Sequence, residues 1–324
     1  MSFLENPHLL TNIAVAFALS AASATVAAEY PERPVSMIVP FAAGGPVDNV
    51  ARFLAEAMQS SLGQTIVVEN KAGAGGTIGT TYVANAKPDG YKVLFMHNGF
   101  ATAPSLYKKL GYDPEKSFKP VGLIVEVPMT VIARSDFPAD NMKELVKYLK
   151  ANQDKVTLAN AGVGLCGIML LDTLGVKLLT VPYNSSAPAL NDLLGKQVDL
   201  FCDQTTNTTQ HIKAKTVKAY AITSDERSPQ LPDLPTMKEQ GFENFKVGIW
   251  HGLWVPAGTP EAIVNKLQAS LKAGMDSSKF KERMNALGAT VLTDEATPVA
   301  LEAKVHAEIP AWAALFKKAG VQPQ

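Results

Sequence analysis

The feature that most limits the folds open to this chain is a repeated alternation of short apolar runs with helical stretches of ten or more residues. Val35–Pro40 (VSMIVP) reads as a strand and Phe41–Pro46 (FAAGGP) as a turn. Asp48–Leu62 then places Val50, Phe53, Leu54, Ala57, Met58 and Leu62 on one helical face. Ile66–Val68 is the next strand, Gly73–Gly76 (GAGG) leads into a helix through Val83, and Lys92–Met96 is a third strand. Strands separated by whole helices form parallel βαβ units, so the expected architecture is α/β with an open, doubly wound sheet.

The rhythm changes at Val121–Arg134 (VGLIVEVPMTVIAR), a β-branched stretch with Pro128 in its middle. Proline breaks the ladder of a central strand, so this stretch reads as two strand pieces crossing between domains. A second series follows: helix Asn141–Ala151, strand Val156–Asn160, helix Leu165–Leu174, strand Leu179–Pro182, helix Ala187–Leu194, strand Val198–Cys202 and strand Val217–Thr223. Lys246–Val255 (KVGIWHGLWV) reads as the second crossing strand, and amphipathic helices close the chain. At 324 residues there is room for two domains of roughly 100–200 residues each.

Lys+Arg and Asp+Glu number 30 each, so the formal net charge is zero. That balance argues against nucleic acid as a partner, which requires a basic face. An anionic ligand has to be held by dipoles and hydrogen bonds. At the start, residues 9–27 (LLTNIAVAFALSAASATVA) run apolar and small into Val26-Ala27-Ala28, which fits export to the periplasm with signal cleavage near Ala28. No Lys or Arg precedes Arg33, so the basic start of such a signal is missing and a buried apolar helix is the competing reading. Cys166 and Cys202 are compatible with an oxidising compartment without demanding a bridge; two small buried thiols is the simpler expectation. No Cys/His cluster has metal-ligand spacing, and no metal or cofactor is expected.

The informative pattern is a strand, then a loop of Gly, Ala, Ser or Thr, then a helix start. It occurs at Phe41–Pro46, Gly73–Thr81, Ala161–Gly164 and Tyr183–Ala187. A helix N-terminus leaves N–H groups unsatisfied and carries about half a positive charge, and glycine lets an anion approach the backbone. Open α/β sheets bind ligands beyond the carboxyl ends of their strands, where these loops fall. Any one such loop is also ordinary turn geometry; four of them in two series point together to carboxylate capture.

Enzymatic readings lack their parts. The G-x-G-x-x-x-G spacing of Gly73–Gly79 departs from a dinucleotide fingerprint, no acidic residue lies at positions 95–99, and no Lys-Ser/Thr follows for a P-loop. No serine sits in a G-x-S-x-G elbow. His97, beside Asn98 at a strand end, fits a pocket role or a plain structural one. Trp250 and Trp254 read as core, and Asp203 as either a ligand contact or a loop cap. An α/β enzyme and the effector-binding half of a transcription regulator are the alternatives; residues 1–30 supply no helix-turn-helix for the second.

The chain resembles the Bug family, the extracytoplasmic solute receptors of tripartite tricarboxylate transporters. The resemblance rests on Tyr30-Pro31-Glu32-Arg33-Pro34, Val39–Gly45, Val68-Glu69-Asn70-Lys71 with Gly73–Gly79, and Ala86–Tyr91. Further matches are Val181-Pro182-Tyr183, Ala187–Leu190 with Asp192–Gly195, and Val255–Pro260. It implies a two-domain, type II-like periplasmic binding protein: residues 29–127 with 226–324 in one domain, 128–225 in the other, joined by two crossing strands around a closing cleft. The implied ligand is a small organic carboxylate or dicarboxylate, an aromatic one such as terephthalate included. The implied partners are membrane permease subunits, and a monomer is expected.

By that resemblance one carboxylate lies on Phe41, Ala42, Ala43, Gly44 and Gly45. Gly76, Thr77, Gly79 and Thr80 lend amides or hydroxyls, with His97 and Asn98 beside them. Ala161, Gly162, Val163, Gly164, Tyr183, Asn184 and Asp203 grip the distal end. One departure stands out. Such receptors usually continue this Gly-x-Gly with a Ser, two small residues and a His, whereas Gly162-Val163-Gly164 runs straight into Leu165-Cys166-Gly167. A shorter loop would widen the cleft on one side and remove polar contacts to the distal group.

Overall fold

The computed structural model describes residues 30–161, 163–183 and 185–323. The expected signal and the expected contacts Gly162 and Asn184 lie outside the described residues. The first series comprises strand β1 (Val35–Val39), helix α1 (Pro46–Leu62), β2 (Ile66–Asn70), α2 (Thr77–Ala84), β3 (Lys92–His97) and α3 (Gly99–Leu106). β1 lies between β2 and β3, parallel to both. α1 starts on Pro46, whose missing N–H costs nothing at a helix start, and stops at Gly63 in the left-handed region (φ 80°). Its buried face (Val50, Leu54, Met58, Leu62) packs with Val264, Leu267, Leu271 and Met275 of α8 (Glu261–Asp276).

β4 (Phe118–Arg134) is one unbroken strand of 17 residues and belongs to both halves of the molecule. Phe118–Pro128 pairs antiparallel with β9 (Gly248–Pro256), which also pairs with β3. From Met129 onward β4 pairs with β7 (Leu200–Gln204) and β8 (Val217–Ile222). Beyond β7 lie β5 (Thr157–Ala161) and β6 (Leu179–Tyr183), parallel to each other, with β5 parallel to β7. The order across the sheet is β2-β1-β3-β9-β4-β7-β5-β6. The second series carries α4 (Met142–Ala151), α5 (Leu165–Leu174), α6 (Ser186–Leu194) and α7 (Thr205–Lys213). α9 (Ser278–Ala286), the short β10 (Thr290–Val291) against β4, and α10 (Pro298–Lys318) complete the first half.

Two expectations about the crossing need correction. β4 does not break at Pro128, because that residue is the last to pair with β9 and sits where the strand exchanges one set of partners for another. Lys246–Val255 does not cross: among the described residues β9 pairs only with β3 and β4, and the chain returns between the halves through residues 223–247. Thr223 closes this junction. Its N–H donates to Met129 O (2.9 Å), its hydroxyl accepts from Met129 N–H (2.8 Å), and the same hydroxyl donates to Val247 O.

The register also fixes which strand ends face each other. β3 and β4 are both antiparallel to β9, so they run the same way, whereas β7 runs against β4. His97 is level with His251 and hence Val125, while Gln204 is level with Met129. The carboxyl ends of β3 and β7 therefore point toward one another along β4. Four residues separate the two levels, about 13 Å at strand rise.

Cys166 at the start of α5 and Cys202 in β7 form a disulfide with Cα atoms 5.8 Å apart, which replaces the expectation of two free thiols. α5 follows β5, β5 neighbours β7, and that adjacency brings the two residues together. Helices α3 and α7 were not legible in the sequence, since one contains Pro104 and the other opens on Thr205-Thr206-Asn207-Thr208-Thr209, a run of weak helix formers. In α7 the hydroxyls of Thr208 and Thr209 bond back to Gln204 O (3.2 Å) and Thr205 O (2.7 Å), so tertiary burial rather than propensity holds the helix.

Thr223→Val leaves the Met129 N–H and the Val247 carbonyl without the hydroxyl, and unfolding in urea should show a loss of about 1–3 kcal/mol. The bridge closes a segment with a sequence separation of 36. Reduction should therefore cost about 3–4 kcal/mol of stability, read as a lower urea midpoint with reductant than without.

Candidate functional site

The loop after β1 is held from beneath by Asp48, which is only 1% exposed in the first turn of α1. Asp48 Oδ2 accepts from the Gly44 N–H (2.8 Å) and from Arg52 Nε (2.8 Å); Oδ1 accepts from Asn70 Nδ2 (2.8 Å). Asn70 Nδ2 also donates to Phe41 O (3.0 Å). Burial pushes the Asp48 carboxyl up, but the hydrogen bonds from Arg52, Gly44 and Asn70 outweigh it and hold the group below the usual carboxylate range. The Gly44 amide is thus already engaged. The N–H groups of Ala42, Ala43 and Gly45 have no partner among the described residues, and Ala42 and Ala43 are exposed at the positive end of α1.

Phe41 stacks on His97, ring centroids 4.5 Å apart. His97 Nδ1 accepts from the Gly99 N–H (2.7 Å), so the ring proton resides on Nε2. Burial lowers the His97 pKa to about 4, so at neutral pH the ring is an uncharged donor. His251 lies beside it in β9 with centroids 6.2 Å apart, held down to about 3 by burial and by His97. Asn98 is buried; its Nδ2 donates to Gly248 O (3.2 Å) and its N–H donates to Trp250 O (3.0 Å).

The Gly-rich loop meets this group through Gly76 (φ 94°), where a Cβ would stand 3.1 Å from Phe41 Cζ and 3.0 Å from Met96 Cε. At Gly79 a Cβ would stand 2.7 Å from Pro40 Cβ. Only glycine permits these two approaches. The hydroxyls of Thr77 and Thr80 bond within their own loop, to Ala74 O (2.9 Å) and Gly76 O (2.8 Å).

On the facing half, Ala161 and Tyr183 are paired at the ends of β5 and β6. Gly164 (φ 65°) precedes α5, and the space its Cβ would need is filled by the Asn160 side-chain amide. Tyr183 donates its hydroxyl to Asp192 Oδ2 (2.6 Å), and burial together with Asp192 pushes its pKa up to about 12. Asp203 is 2% exposed and accepts from Ser186 Oγ (2.7 Å) and Asn207 Nδ2 (3.0 Å), which ties the starts of α6 and α7 together. Burial raises its pKa.

A solvent-open cavity of about 1290 Å³ lies beside the Gly-rich loop of the first half and the strand ends of β5 and β6. Its walls include Gly75 and Tyr107 on one side and Asn160, Val163 and Tyr183 on the other. Of the residues expected from sequence, Val163 and Tyr183 line it; Phe41, Gly76 and His97 touch one another but are not in its wall. Asn160 and Tyr107 were not anticipated. Asn160, at the last inward position of β5 before a glycine turn, carried the only signal. Among the described residues no cluster of His, Cys, Asp and Glu fits a metal ion, and no helix is long and apolar enough to cross a membrane.

A family profile described as "Tripartite tricarboxylate transporter family receptor" matches residues 50–320. An Agrobacterium vitis protein, described as a UPF0065 protein in the TAR-I ttuE-ttuC' intergenic region, is 47% identical over 296 residues, 90% of this chain and 86% of that one. The solved structure of the periplasmic binding protein BugD is 66% identical with a TM-score of 0.81, covering 91% of this chain and 100% of that one. MatC from Rhodopseudomonas palustris, solved with bound malate, is 40% identical with a TM-score of 0.78, covering 88% and 99%.

A carboxylate with a depressed folded pKa contributes stability that is present above its unfolded value near 4 and is lost as pH falls through the folded value. Asp48→Asn should therefore be less stable than the parent at pH 7, by about 2 kcal/mol, and show a flatter loss of stability below about pH 4. Thermal melts of both proteins across that acid range check the sign.

Proposed function

The chain belongs to the tripartite tricarboxylate transporter receptor family, and on that premise we propose that it captures a small organic carboxylate or dicarboxylate between its two halves without chemistry. The halves are taken as residues 29–127 with 226–324, and 128–225. The observation that carries this reading is the set of uncharged donors at the facing strand ends: the Ala42, Ala43 and Gly45 N–H groups and His97 Nε2–H. A carboxylate there meets backbone donors and a helix dipole, which suits a chain of zero net charge.

Closure follows from linkage. A ligand bound by both halves has higher affinity for the closed form and shifts the hinge at β4 and Thr223 toward it. The closed form is then the one that a membrane permease distinguishes. Malate in MatC supports a dicarboxylate. Terephthalate is retained as the aromatic member to test. The setting proposed is the periplasm, reached by export with cleavage near Ala28, and the working species is a monomer. The shortened turn between β5 and α5 gives the distal end of the ligand a different environment from the usual loop of the family.

Titration calorimetry with a panel of mono- and dicarboxylates, terephthalate included, tests the reading. At least one acid should bind with saturable heat, and His97→Ala should weaken it by roughly tenfold or more, since a hydrogen bond to a charged group is worth about 1.5–3 kcal/mol. Silence with every acid, or turnover of any of them, would defeat the proposal.

A further inference from the structure

One buried group in the first half is not explained by packing. His251, in β9, is 1% exposed, and among the described residues neither of its ring nitrogens has a hydrogen-bond partner. The Ile249 backbone lies near the ring, but at no geometry that makes a hydrogen bond. A neutral imidazole carries one donor and one acceptor, so both are stranded. Unpaired polar atoms in an interior are costly, and a phenylalanine or leucine would fill the space without that cost. The ring donors nearby are paired: Trp250 and Trp312 give their Nε1–H groups to the two oxygens of Glu308 (2.8 and 2.9 Å).

The place of this ring is well fixed. His251 is the direct cross-strand partner of His97, so both rings project from one face of the sheet at the same end. Their centroids are 6.2 Å apart, edge to face; Phe41 stacks on His97 at 4.5 Å and Phe95 on His251 at 5.3 Å. Asn98 pins this stretch of β9 through its bonds to Gly248 O and Trp250 O. Burial keeps both imidazoles uncharged at neutral pH. We propose that His251 is a second imidazole contact of the anion site, joined to a carboxylate at His97 by one ordered water. A water both donates and accepts, which suits a neutral ring with one nitrogen of each kind. One hydrogen bond spans about 3 Å, so a carboxylate oxygen and a water in succession cover about 6 Å, the separation of the two rings. This rests on the carboxylate-capture reading above and adds a residue to it.

The test is calorimetry with the acid panel, malate first, on the parent chain, His251→Phe and His251→Gln, with thermal melts of all three. His251→Phe keeps a ring to stack on Phe95 and removes both nitrogens. It should weaken the acid by about fivefold or more while the melting temperature holds or rises, because a stranded polar group has gone. His251→Gln keeps a donor and an acceptor and should bind within about threefold of the parent. In the parent itself, the ring N–H proton of His251 should move downfield in the NMR spectrum on saturation with acid, as a proton entering a hydrogen bond does; this readout holds even where the phenylalanine is not accommodated. An unchanged affinity in His251→Phe, or a ring proton that stays still, overturns the inference and leaves carboxylate capture intact. So do equal losses in both variants accompanied by lower melting temperatures, the mark of a packing role. Absence of binding by any acid of the panel to the parent overturns both readings.

Discussion

Everything in this molecule is arranged around one strand that is hydrogen-bonded to two sets of partners. β4 gives its first eleven positions, Phe118–Pro128, to β9 and its last six, Met129–Arg134, to β7 and β8. A proline at the changeover fits because that residue offers no N–H to either ladder. The next N–H, that of Met129, goes to a side chain, Thr223 Oγ1, instead of a backbone carbonyl. Thr223 thus ties the changeover to both Met129 and Val247, while the antiparallel register on each side keeps the facing strand ends in line.

The groups at the ends of β1 and β3 are held by local hydrogen bonds. Here the ionised groups near the β1 loop are satisfied among themselves: Asp48 with Arg52, Asn70 and the Gly44 amide. His97 is kept uncharged by burial and oriented by the Gly99 N–H. The loop is therefore already shaped, and its remaining amides are oriented before any ligand arrives. This is the preorganisation that lets backbone donors compete with water.

The expected contacts divide on the same basis. The N–H groups of Ala42, Ala43 and Gly45 have no hydrogen-bond partner among the described residues, and His97 Nδ1 accepts from the Gly99 N–H. Asn98, Thr77, Thr80, Tyr183 and Asp203 have their polar atoms engaged with neighbours: Gly248 O, Ala74 O, Gly76 O, Asp192, and Ser186 with Asn207. Residue type and strand-end position could suggest all of them, because a side chain's partner depends on groups far away in the chain. The Asn98–Gly248 bond spans 150 positions. The disulfide and helix α7 were illegible for the same cause: one depends on β5 lying next to β7, the other on burial that makes poor helix formers helical.

By itself the sequence determined the α/β plan, the parallel pairing within each series, the glycines at Gly76 and Gly79, and membership in a receptor family. These follow from local periodicity and from backbone approaches that only glycine allows. Tertiary structure alone decided that β4 continues through Pro128, that the return crossing is made by residues 223–247, and that Cys166 meets Cys202. It also decided which polar side chains are hydrogen-bonded to neighbours. Those outcomes depend on register and on long-range hydrogen bonding, where a shift of one residue exchanges the faces of a whole strand, and no local pattern encodes that choice.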